Sequence, residues 1–467
     1  MLDALTERDV AYEKEFDKII GFHPQISLDF FQQGIITAYH SEEEYERLGR
    51  LFRQRFDRNP DFLFKSLSDY ERKTSADLVS IEKVVRGDLN ALSNRKLARK
   101  FLKAREYFEY NSAVDHYAWY LEKFFVPILQ AFLQKTLKRA SKEELVVDYL
   151  TKLITPTKPS KIFLERKSFY EIVARCEKIR SFVSAAKAGK SVKYLSKNFP
   201  SISQSISRHV DKYGWVQVLV NNPPMISADL WKALIQAVKT PENYHGDIKR
   251  LGDRFDPKVI REKKKILKEL KPAKEIRLLV KGLERVAYIR TEDNAVMSRS
   301  SYLVIPLYQE IAKRLGITYY ELKELTPEEV VDFLSNRSKK AKGLVKSRKR
   351  LSVYIVYRGQ RQILMGTQAR RLKTFVEKFI TSTQQGFEVL RGTPASSGKT
   401  KGVVRLALSS KEARTMRKGQ ILVAPATSAD FVPAMRIAGA ILTDFGGLTS
   451  HAAVVSREFG IPCIVGV

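Results

Sequence analysis

The run Ala440-Ile441-Leu442-Thr443-Asp444-Phe445-Gly446-Gly447-Leu448-Thr449-Ser450-His451-Ala452-Ala453 decides how the C-terminal part of this 467-residue chain is read. AILTD is apolar and β-branched and reads as a strand that ends at Asp444. Gly446 and Gly447 allow a tight turn and let a ligand approach the backbone closely. Thr449 or Ser450 can cap the helix opened by SHAAVVSREFG. His451 then falls in the first helical turn, where backbone amides lack partners and the helix dipole is positive, so an anion is favoured there. A neutral imidazole is a competent nucleophile near pH 7. These parts suit a histidine that accepts a phosphoryl group and passes it on. On the residues alone, a surface or capping histidine is the alternative.

Outward from this run, the texture from Gly392 onward is α/β. TKGVVRLAL, QILVAPA, AGAILTD and CIVGV read as strands, with KEARTMRK, FVPAMRIA and SHAAVVSREFG as helices between them. Short β-branched strands alternating with short helices predict a small sheet with helices packed on it. Ser397-Gly398-Lys399-Thr400 imitates the end of a phosphate-binding loop. That loop needs four residues between its glycines and a helix after it. Here five residues separate Gly392 from Gly398 and a strand follows, so nucleotide binding is rejected at this point.

Residues 1 to about 280 read as mostly helical, with apolar residues three and four apart in DFFQQGIITAY and YAWYLEKFFVPILQAFLQKTL. Ser141 and Glu144 form a candidate capping box before Leu145, Tyr149, Leu150, Leu153 and Ile154. Thr326 and Glu329 form another around Pro327. Prolines break the pattern at ITPTKPSK and at Asn221-Asn222-Pro223-Pro224. LSVYIVY and QILMG around RGQR predict a β-hairpin, and a helix is expected over Gln368–Gln385. Tyr117, Trp119, Tyr120, Phe124 and Phe125 either line an acceptor pocket or belong to the core.

The chain has 83 Lys and Arg against 52 Asp and Glu, a net charge of +31. The excess is spread along the sequence, which favours a generally basic surface over one nucleic-acid face. Its densest stretch is Arg337–Arg350, with eight basic residues and no acidic one. It reads as an exposed, mobile connection and as the best candidate for contact with a polyanion. Two cysteines, Cys176 and Cys463, give neither a disulfide framework nor a metal-ligand spacing. Cys463 reads as a small core residue. No metal is assigned to His23, His40, His116, His209 or His245. No apolar run reaches membrane-spanning length and the N-terminus lacks a secretion signal, so a cytoplasmic protein without membrane contact is expected.

GGLTSHAAVVSREFGIPCIVG (446–466) resembles the active-histidine motif of the phosphoenolpyruvate-utilising enzymes. These include phosphoenolpyruvate synthase, pyruvate phosphate dikinase and enzyme I of the sugar phosphotransferase system. GTPASSGKTKGVV (392–404) and QILVAPATSADFVPAMRIAGAILTD (420–444) are similar to the start and middle of their swivelling domain. The resemblance implies that His451 is the phosphorylated histidine, with Gly446, Gly447, Thr449 and Ser450 on its supporting turn. It implies an α+β chain: a large, mostly helical N-terminal region, then a small β/β/α swivelling phosphohistidine domain. The family pattern continues for about one more strand pair, so this domain is expected to be shortened at its C-terminal end.

The expected domains are 1–334, mainly helical; 335–390, the basic connection, hairpin and linker helix; and 391–467, the incomplete phosphohistidine domain. SYLVIPLYQEIAKRLGITYYELKELTPEEV (301–330), the hairpin and GTQAR resemble the linker of synthase-like and rifampicin-phosphotransferase-like proteins. No ATP-grasp motif is recognised before residue 390. The implied function is phosphotransfer on His451 between a nucleotide-using partner of the ATP-grasp type and a small-molecule acceptor. ATP and Mg²⁺ are expected on that partner, with no cofactor or metal on this chain alone. The alternatives are an acceptor-binding subunit of a small-molecule phosphotransferase and a non-catalytic, basic, nucleic-acid-binding or regulatory protein.

Overall fold

The computed structural model describes residues 20–23, 25–32, 35–216, 218, 223–239, 257–336, 340–383, 392–413, 415–427, 431–448 and 450–467. In chain order, the strands are β1 (Ile26–Gln32), β2 (Ile35–His40), β3 (Ser352–Tyr357), β4 (Gln360–Met365), β5 (Thr393–Ser396), β6 (Val404–Leu406), β7 (Ile421–Ala424), β8 (Ala440–Thr443) and β9 (Cys463–Val465). Five helices carry the argument: α1 (Asn94–Lys138), α2 (Lys161–Glu177), α3 (Lys274–Leu315), α4 (Ala341–Arg350) and α5 (His451–Phe459). The fold is α+β, mostly helical, with two small sheets. The chain forms two compact units, each drawn from separated segments. One holds Met1–Tyr120, Trp215–Pro224 and Asp293–Gly386; the other holds Leu121–Gly214, Met225–Glu292 and Phe387–Val467.

The first unit contains an antiparallel sheet of order β2-β1-β3-β4. The predicted hairpin is present. Arg358 and Gly359 between its strands both have positive φ, 47° and 76°, as a two-residue hairpin turn with matching twist requires. DFFQQGIITAY is not helical, as its spacing suggested, because Asp29–Gln32 lie in β1 and Ile35–Tyr39 in β2. Aromatic and β-branched side chains suit a pleated surface, and β1 pairs along its length with β3, as in Phe30 opposite Val353. A partner more than 300 positions away outweighs the local three-and-four pattern.

Leu97, Phe101 and Ala104 of α1 pack with Leu307, Tyr308 and Ile311 of α3 in the core of this unit. The Phe101 and Tyr308 rings lie 5.3 Å apart. Tyr117 and Tyr120 are buried, Tyr117 beside Phe52, so these members of the aromatic cluster are core. The Thr326 capping box forms, with Thr326 Oγ1 accepting from the Glu329 amide.

The basic stretch differs from its reading. Residues 337–339 lie outside the described set, but Ala341–Arg350 is helical, with Ala341, Val345 and Arg348 buried. It also has acidic partners. Arg348 donates to the Glu329 carboxylate and to Glu324 O (2.7 Å), and Lys349 reaches Glu321 at 3.2 Å. Counting charge within the stretch missed carboxylates about twenty positions upstream.

The second unit has a helical part and a strand-bearing part. Ile172 and Val173 of α2 pack with Phe182, Leu195, Ile206, Leu230 and Leu234 from the helices that follow. The proline break separates the helix Val146–Ile154 from α2. The Ser141 box does not form. Ser141 has φ 51°, the helix opens at Val146 without a side-chain cap, and the predicted apolar face is buried at Tyr149, Leu150, Leu153 and Ile154. The sheet has the order β5-β9-β8-β7-β6, parallel from β6 to β9, with β5 antiparallel to β9. The strands and helices expected from Gly392 onward are present, and β5 is an addition. Ser397–Thr400 leads to β6 and not to a helix. Cys463 is buried in β9, and burial pushes its thiol pKa up.

Candidate functional site

β8 delivers the chain to the turn that carries His451. Asp444 and Phe445 are held by their amides on Ala424 O (3.3 Å) and Pro425 O (2.8 Å). Gly446 has φ +124°, which L side chains rarely adopt, and a Cβ there would meet Ser450 Cβ at 2.8 Å. The Ser450 amide donates to Gly447 O at 3.0 Å and closes the turn. Ser450 is the N-cap of α5: its backbone is extended and its Oγ accepts from the Ala453 amide at 3.3 Å. Gly460, at φ 64°, ends the helix in the left-handed region. Arg457, on the last turn, donates to Leu448 O (2.6 Å) and to Ala395 O (3.2 Å), tying the turn to β5.

His451 is the first residue of α5. Its Nδ1 is hydrogen-bonded to Thr427 Oγ1 at 2.9 Å, just beyond β7. Its Nε2 is buried and has no hydrogen-bond partner among the described residues. When Nδ1 carries the ring proton and donates to Thr427, the Nε2 lone pair is presented as the nucleophile. Burial, and secondly the positive charge of Arg166 on α2, hold the imidazole pKa down at about 4. The ring is therefore neutral at pH 7.

The helical part of the same unit supplies the surroundings of this turn. Gly447 lies against Glu122 of α1, where an added Cβ would be 2.4 Å from Oε1 and 3.0 Å from Cδ. Glu122 is buried, and its Oε2 is 3.7 Å from Arg290 Nε of α3. The structure thus brings together Gly446, Gly447, Ser450 and His451 from the predicted site. Thr449 lies outside the described residues. Thr427, Glu122, Arg166 and Arg290 were missed by sequence reasoning. Thr427 sits in the recognised middle segment and could have been found there. The other three carry no local signal, being single charges on Lys-, Arg- and Glu-rich helices.

Residues 416–467 match the family model described as the mobile domain of PEP-utilising enzymes. The C-terminal region carries this mobile domain. Curated relatives align with the same region. A probable phosphoenolpyruvate synthase of Archaeoglobus fulgidus is 44% identical over 100 residues, 21% of this chain and 13% of the relative. The phosphoenolpyruvate synthase of Aeropyrum pernix is 51% identical over 83 residues, 18% and 10% of the two chains. A probable phosphoenolpyruvate synthase of Pyrococcus abyssi is 32% identical over 157 residues, 34% and 19%. The chain thus spans only 10–19% of the length of these relatives. Within the mobile domain, His451, its glycine turn and its cap all lie in the matched segment. Among the described residues, no helix is long and apolar enough to cross a membrane, and no group of three or more His, Cys, Asp and Glu could hold a metal ion.

Proposed function

We propose that this chain is a phosphotransfer protein that carries a phosphoryl group on Nε2 of His451. The observation that supports it most is the division of labour on one ring. Nδ1 is bonded to Thr427, while Nε2 is left without a partner at the start of a capped helix. In loading, Nε2 forms a P–N bond to phosphorus as the bond from phosphorus to the donor's leaving group breaks. The ring becomes cationic, and the Nδ1 proton is stabilised by Thr427 Oγ1. In unloading, an acceptor oxygen bonds to phosphorus, the P–N bond breaks and the imidazole leaves neutral, while the acceptor's proton passes to a base or to water. The positive end of α5 favours the charge that builds up in both steps.

In this reading the donor is a partner of the ATP-grasp type that holds ATP and Mg²⁺. The acceptor is a small molecule, and the exchange takes place in the cytoplasm. Because Nε2 is buried, the donor reaches it only when the turn leaves the helices against which it rests. A domain that moves meets that requirement. The test is chemical: the protein treated with such a donor, or with phosphoramidate in its place, gains an acid-labile, base-stable phosphate, and His451→Ala does not. A label that persists in His451→Ala contradicts the reading.

A further inference from the structure

We infer that the first unit holds a binding site for a small amphipathic anion, a molecule with an apolar body and one carboxylate, phosphate or sulfonate group. The site is a cavity of about 880 Å³ walled by α1, the helix Pro327–Ser335, α4 and the β3–β4 hairpin. Small-molecule sites span roughly 300–1,000 Å³, so the space suits a drug-sized ligand. All its walls belong to the first unit, whereas His451 belongs to the second. The inference therefore does not depend on the carrier reading.

The cavity follows from where the sheet stops. β4 is an edge strand, and its alternate residues Arg361, Ile363 and Met365 fall on one face and line the cavity. Register places Ile363 opposite Tyr354 of β3, which packs with Phe31 and Val356. The other face of the sheet is closed by the helix Gly366–Thr383, whose Ala369 packs with Phe30 and Val353. On the cavity face Ile363 and Met365 stay only partly buried, and α1 adds Leu102, which is 43% exposed. Apolar side chains left wet along one cavity are a surface that a ligand's apolar body can cover.

The polar walls set the sign of the ligand. Arg105 of α1, Arg348 of α4 and Arg361 of β4 bring guanidiniums from three elements to one cavity, and Arg105 and Arg348 are buried. Of the carboxylates on the same walls, Glu329 is bound by Arg348, Glu106 is bound by Lys103, and Glu328 is exposed. Arg348 is committed to Glu329, so Arg105 and Arg361 are the cations assigned to the ligand. A guanidinium has five N–H donors and keeps its charge, so contacts with the protein do not exhaust it. Its planar fork matches carboxylate and phosphate oxygens.

The experiment titrates the full chain with the fluorescent anion anilinonaphthalene sulfonate and with neutral phenylnaphthylamine, which has the same rings without the sulfonate. The sulfonate should bind the wild type saturably and shift the methyl signals of Ile363 and Met365 in carbon–proton NMR. Met365→Trp, which fills the space, should abolish binding. Arg361→Gln should weaken it about tenfold, the scale of one charge-assisted hydrogen bond. The neutral dye should bind the wild type about tenfold more weakly than the sulfonate and be indifferent to Arg361→Gln. Phe375→Ser, at an exposed position outside the cavity, should change nothing. The methyl shifts locate the dye in the unaltered chain, so the site is tested even where Met365→Trp fails to fold. No saturable binding, unmoved Ile363 and Met365 signals at saturation, or loss of binding in Phe375→Ser overturns the site. Equal affinities for the two dyes, or no loss in Arg361→Gln, overturns the assignment to an anion.

Discussion

Gly447 and Glu122 are in direct contact, the backbone of the histidine turn lying on the carboxylate of a helix 325 positions earlier. No side chain larger than hydrogen fits between them without displacement. The Glu122 carboxylate has little room to withdraw, because it is buried and faces Arg290. Gly447→Ala is therefore expected to push the turn off the helices by about 1–3 kcal/mol, the usual cost of overpacking. Nε2 then becomes accessible more often, and loading by phosphoramidate should quicken by tenfold or so. Glu122→Ala added to Gly447→Ala should return the rate towards the wild type, giving a large coupling energy in the double-mutant cycle. Equal loading rates in Gly447→Ala and wild type would count against the contact.

Gly446→Ala should be harsher and should not be rescued at Glu122. Its φ of +124° is strained for any L side chain, and its obstacle is Ser450 in the same turn. Hydrogen exchange should show loss of protection across 446–455, with β7 and β8 retained.

The depressed pKa of His451 fixes a pH dependence. With the turn seated, the ring titrates at about 4; with the turn released, it returns to its ordinary value near 6.5. Between these values the released form binds more protons, so seating is fully favourable above about 6.5 and is lost as pH falls towards 4. Hydrogen-exchange protection of the turn, corrected for the intrinsic rate, should decline over that window in the wild type. It should stay flat in His451→Gln, which has no proton to take up.

Arg348 is predicted to be a structural residue of the first unit. It is 3% exposed and forms two contacts with Glu329 and one with Glu324 O. Arg348→Ala leaves the Glu329 carboxylate without its cation. Breaking a fully buried pair costs roughly 3–5 kcal/mol, and partial exposure of Glu329 should bring this to about 2–3 kcal/mol. Denaturant unfolding measures it. A loss below about 0.5 kcal/mol would place Arg348 with the solvated cations.

Much of the C-terminal part was legible in the sequence because its rules are local. Strand, glycine turn, cap and helix follow one another within about twenty residues, and AILTD through SHAAVVSREFG folds in that order. The N-terminal hairpin was not legible. Phe30 and Phe31 satisfy a helical spacing as well as a strand, and only pairing with Val353 and Ser352 decides between them. The ring's setting was half legible. The helix start was visible, but the burial of Nε2 and the approach of Gly447 to Glu122 are tertiary, and no pattern around residue 451 encodes them. The basic stretch misled for the same reason, since Glu329 and Glu321 pair with its Arg348 and Lys349 from outside its own window.

Thr427 offers a check on the chemistry of the ring. Its hydroxyl can accept from Nδ1–H, the arrangement in which the Nε2 lone pair is free to attack. Thr427→Val keeps the volume and removes that bond, which is worth about 0.5–1.5 kcal/mol. Phosphoramidate loading should slow by several-fold, and Thr427→Ser should restore it. Loading unaffected by Thr427→Val would mean that the hydroxyl does not set the tautomer.

The most direct measurement is the position of the phosphate on the protein. After treatment with phosphoramidate, phosphorus and two-dimensional proton–nitrogen NMR distinguish a phosphoryl group on Nε2 from one on Nδ1, and His451→Ala identifies the residue. The structure predicts a single acid-labile phosphohistidine on Nε2 of His451, absent from the variant. A phosphoryl group on Nδ1 of His451, or an unchanged signal in His451→Ala, would contradict the account.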